Sequence, residues 1–257
     1  MQRFRKHDGV APLEGSCPSS LLEVRTERIR VSVQKQDAPS IKVAIPGVSG
    51  TGKSTLFENL IRRENARWVF LYDHKDGDLA RRFKVRACFD ENQLLDAIER
   101  GGLVIFNPAK LFPGNREEGF HWFCRYVWNV KSVLRGKKIF GSDELDALVD
   151  VHSKPDDLCV ILDEGRTFQI ECMFICQAMN SMHNQVHKQF TEIFAFRQGS
   201  KNAAEWLVEK DCGFFNESEL MTLQNGLWLY KNTNNGETQR GGTAFQPKNA
   251  KRNLRGL

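Results

Sequence analysis

Ile41-Lys-Val-Ala-Ile-Pro-Gly-Val-Ser-Gly-Thr-Gly-Lys-Ser-Thr55 joins two kinds of backbone through a glycine-rich turn. Ile41 to Ile45 is apolar and β-branched, which predicts a buried strand, and Pro46 ends it. Leu56 to Arg63 continues as a helix. Between them Gly47-Val48-Ser49-Gly50-Thr51-Gly52-Lys53-Ser54 sets a glycine, four residues, a second glycine and then Lys-Ser. Glycines at this spacing allow successive N–H groups to turn inward, forming an anion nest at a helix N-terminus. Lys53 then reaches the β- and γ-phosphates of a nucleotide, and the Ser54 hydroxyl ligates Mg²⁺. The predicted phosphate cradle is therefore Gly47, Val48, Ser49, Gly50, Thr51, Gly52, Lys53, Ser54 and Thr55, and the predicted cofactors are ATP and Mg²⁺.

Further strands are expected at Trp68–Tyr72, Leu103–Phe106, Leu158–Leu162, Met173–Cys176, Ile193–Phe196 and Leu227–Tyr230. Residues 117–135 place Phe120, Phe123, Tyr126, Val127 and Val130 on helical spacing, the pattern of a buried amphipathic helix. Further helical turns are expected over 145–151 and 202–209. Strands alternating with helices predict an α/β fold of three layers around a mostly parallel central sheet. Residues 1–38 mix Gly, Pro, Ser and charge and are expected to form a partly disordered extension with one strand-like run, Ile29–Val33. The core is expected over 39–232. A hairpin signalled by Asn235-Gly236, then a basic tail, should fill 233–257.

The apolar run Leu158-Cys-Val-Ile-Leu162, read as a strand, ends in Asp163-Glu164. On that reading Asp163 is the metal-side carboxylate and Glu164 the general base that activates water. Gln177, directly after Met173–Cys176, is placed to sense phosphate or orient water. Arg197, after Ile193–Phe196, offers a fork that matches the phosphate oxygens of a neighbouring subunit's nucleotide. Arg166 competes for that role. The segment Asp163–Glu171 is, however, shorter than the dozen or so residues that a right-handed parallel crossover ordinarily needs.

The ordered set of Gly47–Ser54, Tyr72-Asp-His-Lys-Asp76, Asp163-Glu164, Phe174-Ile-Cys-Gln177 and Phe196-Arg197 resembles the FtsK–HerA superfamily of DNA-pumping ATPases. The likeness spans about residues 40–232, and Leu220–Trp228 is similar to that group's late leucine–glycine–strand passage. The modest size further resembles the genome-packaging ATPases of membrane-containing icosahedral viruses and phages. The resemblance implies a RecA-like P-loop NTPase fold and an ATP-hydrolysing translocase that packages double-stranded DNA into a preformed capsid. It also implies a homo-oligomeric, hexameric ring, with Arg197 acting in trans. Contacts with a capsid vertex or membrane proteins follow, as does a location in the host cytoplasm or with the virion.

The formal charge of +5 is concentrated at the ends, in Arg3, Arg5 and Lys6 and in Lys248, Lys251, Arg252 and Arg255. Such arms suit phosphate contacts that read no sequence, which favours double-stranded DNA as a non-specific partner. The 7 cysteines lack the spacing of a disulfide framework, so a reduced intracellular setting is expected. The chain shows neither a secretory leader nor an 18-residue apolar run, so no transmembrane segment is expected. A small-molecule or nucleotide kinase is the rival reading, because its phosphate loops share this pattern. A nucleotide-gated assembly protein is the non-enzymatic alternative.

Overall fold

The computed structural model describes residues 40–75, 77–153, 155–209 and 216–243. The extension over 1–38 with its Ile29–Val33 run, and the basic tail after 243, lie outside the described residues. Strands β1 (Lys42–Pro46), β2 (Trp68–Tyr72), β3 (Gly102–Phe106), β4 (Lys138–Ser142), β5 (Ile170–Cys176), β6 (Glu192–Ala195), β7 (Leu227–Asn232) and β8 (Thr238–Gly242) form one sheet. Their order is β3-β2-β4-β5-β1-β6-β7-β8. The strands from β3 to β6 in that order are parallel, and β7 and β8 add antiparallel. The fold is thus the expected α/β fold with a mostly parallel sheet.

Both faces of the sheet are covered, which is why its strands read as continuous apolar runs rather than alternating ones. On one face Leu56, Phe57 and Ile61 of α1 (Lys53–Arg63) join Leu79, Ala80 and Phe83 of α2 (Asp78–Phe83) over Val69, Leu71 and Ile139. Helix α3 (Glu91–Arg100) follows, capped by Asp90, whose carboxylate accepts from Gln93 N. The opposite face is aromatic. Phe120 and Phe123 of α4 (Arg116–Val130) stack among Tyr72, Phe106 and Phe140 with ring centroids 5.1–6.1 Å apart. Neighbouring residues of β2 thus serve opposite layers, Val69 and Leu71 one and Tyr72 the other, as the strand's two-residue period requires.

The expected strand Leu158–Leu162 is a helix. It belongs to α5 (Asp156–Glu164), in which Leu158, Ile161 and Leu162 are buried while Cys159 and Val160 are only partly so. That is helical periodicity compressed into five residues, too short to be told from a strand by apolarity alone. The flanks carry the decisive signals. Pro155 stands at the N-cap and Asp156 and Asp157 occupy the first turn, where carboxylates complement the helix dipole.

The missing strand is β4, Lys138-Ile-Phe-Gly-Ser142. It pairs with β2 on one side and β5 on the other. Its polar ends and Gly141 dilute the apolar pattern, yet the glycine is required: a Cβ there would stand 2.4 Å from Met173 O on β5. The crossover from β4 to β5 then contains the 3₁₀ turn Leu145–Ala147, α5 and the 3₁₀ turn Gly165–Phe168. Its length becomes ordinary, and the anomaly of the short segment disappears. The 3₁₀ turn Met179–Ser181 and helices α6 (Asn184–His187), α7 (Lys201–Glu209) and α8 (Glu217–Thr222) complete the described elements.

Candidate nucleotide-binding site

All the parallel strands deliver their C-terminal ends to one edge of the sheet. There the chain leaves β1 for β2 on one side and returns to β6 on the other, the switch point at which open α/β sheets hold ligands. The glycine loop sits at this edge. Gly47 N donates to Cys176 O and Gln177 O, each at 3.2 Å, and Val48 N donates to Arg197 O at 2.9 Å. The loop is therefore slung between the ends of β5 and β6. Gly50 and Gly52 hold φ of 78° and 106°, the left-handed region that favours glycine. Gly52 immediately precedes α1, and a Cβ there would meet Thr243 at 2.9 Å. The β7–β8 hairpin braces the same loop, since Gly226 N donates to Thr51 O at 2.8 Å.

Lys53 is buried and its Nζ folds over the loop, donating to Gly47 O at 2.5 Å and Val48 O at 2.7 Å. Burial lowers its pKa, opposed by Cys176, Asp146 and Glu144. Lys53, Ser54, Thr55, Ser49, Gly50 and Gly52 line a cleft of about 440 Å³.

The opposite wall comes from β4 and the β2–α2 turn: Asp143, Glu144, Lys75, Asp78 and Arg82, with Gln177 at the end of β5. Asp143 directly follows β4 and is 6% exposed, and its Oδ1 has no hydrogen-bond partner. Burial, helped by Asp73, Glu144 and Asp78 and opposed by Lys75, raises its carboxyl to about 7. Glu144 contacts Lys75 Nζ and lies 3.7 Å from His74 Nε2. Burial works to raise the Glu144 pKa, but the Lys75 hydrogen bond and charge, His74 and a hydrogen bond from Gln177 leave it lowered. Behind the wall, Asp146 accepts from Gln177 N at 3.0 Å and Ala178 N at 3.4 Å, fixing the turn after β5.

The structure thus brings Gly47–Ser54 and Gln177 together, as the sequence suggested, but not Asp163 and Glu164. Both are exposed on α5, ahead of β5. Asp163 accepts from Gln189, whose Oε1 takes Lys42 Nζ at the start of β1. Seven residues of β5 separate that end of the sheet from the loop, about 20 Å at the usual strand rise. The carboxylates opposite the loop are Asp143 and Glu144 instead. A usable signal was present in Ile139-Phe-Gly-Ser-Asp-Glu144, an apolar start followed by an acidic pair at proper crossover distance from Gln177. Arg166 lies exposed at the far end with α5, so its claim, which rested on adjacency to Asp163–Glu164, falls. Arg197 is half-buried and follows β6 beside the loop.

The fit to a magnesium nucleotide rests on donors. Asp143 offers a buried, unsatisfied carboxylate oxygen and Ser54 a hydroxyl, both oxygen ligands of the kind Mg²⁺ takes, while the loop and Lys53 suit phosphate.

No family model matches the chain, and no curated protein does. Solved structures do. The genome-packaging NTPase B204 from Sulfolobus turreted icosahedral virus 2, in complex with sulfate, superposes with a TM-score of 0.65 at 16% identity, over 81% of this chain and 99% of that one. Its complex with AMPPCP gives 0.62 at 15% identity, over 81% and 100%. VirB4 of Thermoanaerobacter pseudethanolicus gives 0.60 at 11%, over 84% and 93%. At these identities the likeness shows the shared P-loop NTPase fold.

Proposed function

We propose that this chain is an ATPase of the FtsK–HerA type whose chemistry occurs in the cleft between Gly47–Ser54 and Asp143–Glu144. The observation that carries the reading is the placement of β5 between β1 and β4, which sets Asp143 and Glu144 across from Lys53 at the C-terminal sheet edge. Lys53 and the loop N–H groups hold the phosphates, and Ser54 and Asp143 would hold Mg²⁺. A bound Mg²⁺ supplies charge neutralisation at the β- and γ-oxygens. Glu144 accepts the proton of a water whose oxygen bonds the γ-phosphorus, as the bond from that phosphorus to the bridging oxygen breaks and ADP leaves. Gln177, hydrogen-bonded to Glu144, orients that water.

The work coupled to hydrolysis is movement of double-stranded viral DNA into a capsid. The likeness to a protein described as a genome-packaging NTPase supports this, as do the basic ends of the sequence. In a ring, hexameric as first expected, Arg197 would reach the neighbour's nucleotide. Docking at a capsid vertex, in the host cytoplasm or on the virion, belongs to the same reading. Among the described residues no helix is long and apolar enough to cross a membrane.

Phosphate release from Mg-ATP, with and without double-stranded DNA, tests it. Turnover raised by DNA and accompanied by ring assembly is expected. Turnover that requires a small acceptor would replace the motor with a kinase, and tight binding without turnover would replace it with a nucleotide-gated assembly protein.

A further inference from the structure

We infer that Lys75 is a second phosphate-binding residue of the cleft, taking the terminal phosphate of a nucleoside triphosphate and releasing Glu144 as it does so. This rests on the nucleotide reading above and adds a ligand to it. Lys75 lines the wall opposite Lys53 and Ser54, and its Nζ contacts Glu144 Oε1. Its side chain is 40% exposed and lines the cleft, which leaves room for a second anion beside it.

Its backbone is fixed. Lys75 N donates to Asp73 Oδ1 at 3.3 Å and Lys75 O accepts Asp78 N at 2.8 Å, while Asp73 also accepts from Ala80 N at 3.1 Å. The Lys75 main chain is thus tied at both its N–H and its C=O. Arg82, the other cation on this wall, is engaged with Asp78.

Glu144 is held in a conformation it does not favour. Its φ of 54° and ψ of 54° lie in the left-handed region, which strains an L-residue. The Lys75 ammonium occupies Glu144 Oε1. A terminal phosphate carries more negative charge and three acceptor oxygens, so it competes for the same ammonium. A diphosphate presents no group at that position. Lys75 therefore distinguishes triphosphate from diphosphate and couples that distinction to freeing the base.

The test is a double-mutant cycle read by calorimetric titration with AMPPNP and with ADP, both with Mg²⁺. The proteins are wild type, Lys75→Met, Glu144→Gln and the double variant, with Lys75→Gln and Lys75→Arg as controls. Glu144→Gln removes the competitor and should bind AMPPNP about tenfold tighter, within the usual range of coupling between sites. Lys75→Met and Lys75→Gln should bind it about tenfold more weakly, and Lys75→Arg should keep the preference for triphosphate. ADP affinity should hold within about twofold throughout, which also reports that the variants fold. The gain in Glu144→Gln should vanish when Lys75 is absent. Equal shifts for AMPPNP and ADP, or a Glu144→Gln gain that survives Lys75→Met, would overturn the inference. Wild type that binds neither nucleotide would instead sink the nucleotide reading itself, and this inference with it.

Discussion

At the scale of single residues, the structure divides two acidic pairs that look equivalent on paper. Asp143 and Glu144 follow β4, which only β5 separates from β1 and its phosphate loop, and Asp163 and Glu164 end a helix at the other edge. Gly141 shows how tightly the first pair is placed. Its Cβ position is 2.4 Å from Met173 O and 3.2 Å from Phe57, so Gly141→Ala must push β4 from β5 or α1. We expect a loss of at least about 2 kcal/mol in denaturant unfolding, typical of an overpacked core, with turnover falling further than stability. A variant as stable as wild type would show that the β4–β5 spacing is not constrained there. Gly52→Ala is the loop's counterpart: φ of 106° and Thr243 at 2.9 Å predict weakened nucleotide binding, by about tenfold in titration.

At the scale of elements, β4 begins with a charge in an unusual place. Lys138 is 3% exposed and its Nζ donates to Gly136 O at 2.9 Å and Phe168 O at 3.0 Å. Burial lowers its pKa from 10.5 to about 8. The unfolded chain therefore binds more protons than the folded one between those values, and this group's contribution to stability rises with pH across that window. Below pH 8 the full penalty stands, about 3 kcal/mol by linkage. Relative to Lys138→Met, the wild-type unfolding free energy should climb between pH 8 and pH 10.5; parallel pH curves for the two proteins would contradict this.

The same strand marks the limit of what could be read from residue order. β1, β2, β3, β5 and β6 were legible because each is apolar for most of its length, and the β7–β8 hairpin because the apolar start of β7 precedes the Asn235-Gly236 turn. β4 was not, because a buried lysine, a packing-enforced glycine and a serine occupy most of its positions. α5 imitated a strand because its Leu158–Leu162 run covers little more than one turn. The conflict was visible all the same. A parallel crossover squeezed into Asp163–Glu171 had no room for a helix, and moving the acidic strand upstream to β4 removes the difficulty. Lys75 lay within a quoted motif, but its partner could be found only once β4 brought Glu144 beside it.

At the scale of the whole molecule, the parallel sheet supplies one edge at which β1, β2, β4, β5 and β6 converge. The loop, Lys75, Asp143–Glu144, Gln177 and Arg197 each follow the end of one of these strands. That convergence makes the candidate nucleotide site from residues scattered over more than half the chain. It also leaves Arg197 next to the loop, where the ring reading requires a residue able to reach another subunit. Arg197→Ala should then lower turnover by roughly 1,000-fold or more, within the range known for arginine fingers, without changing nucleotide affinity in isolated protomers. Mixing it with Glu144→Gln should partly restore activity if the arginine acts across subunits, and should not if it acts within one.

The central claim is that the cleft at Asp143–Glu144 is the hydrolytic centre, and phosphate release by Glu144→Gln beside Glu164→Gln tests it most directly. The account predicts that Glu144→Gln loses turnover by about 100-fold or more, as removal of a general base should, while Glu164→Gln stays within twofold of wild type. Loss of activity in Glu164→Gln with Glu144→Gln unaffected would contradict it.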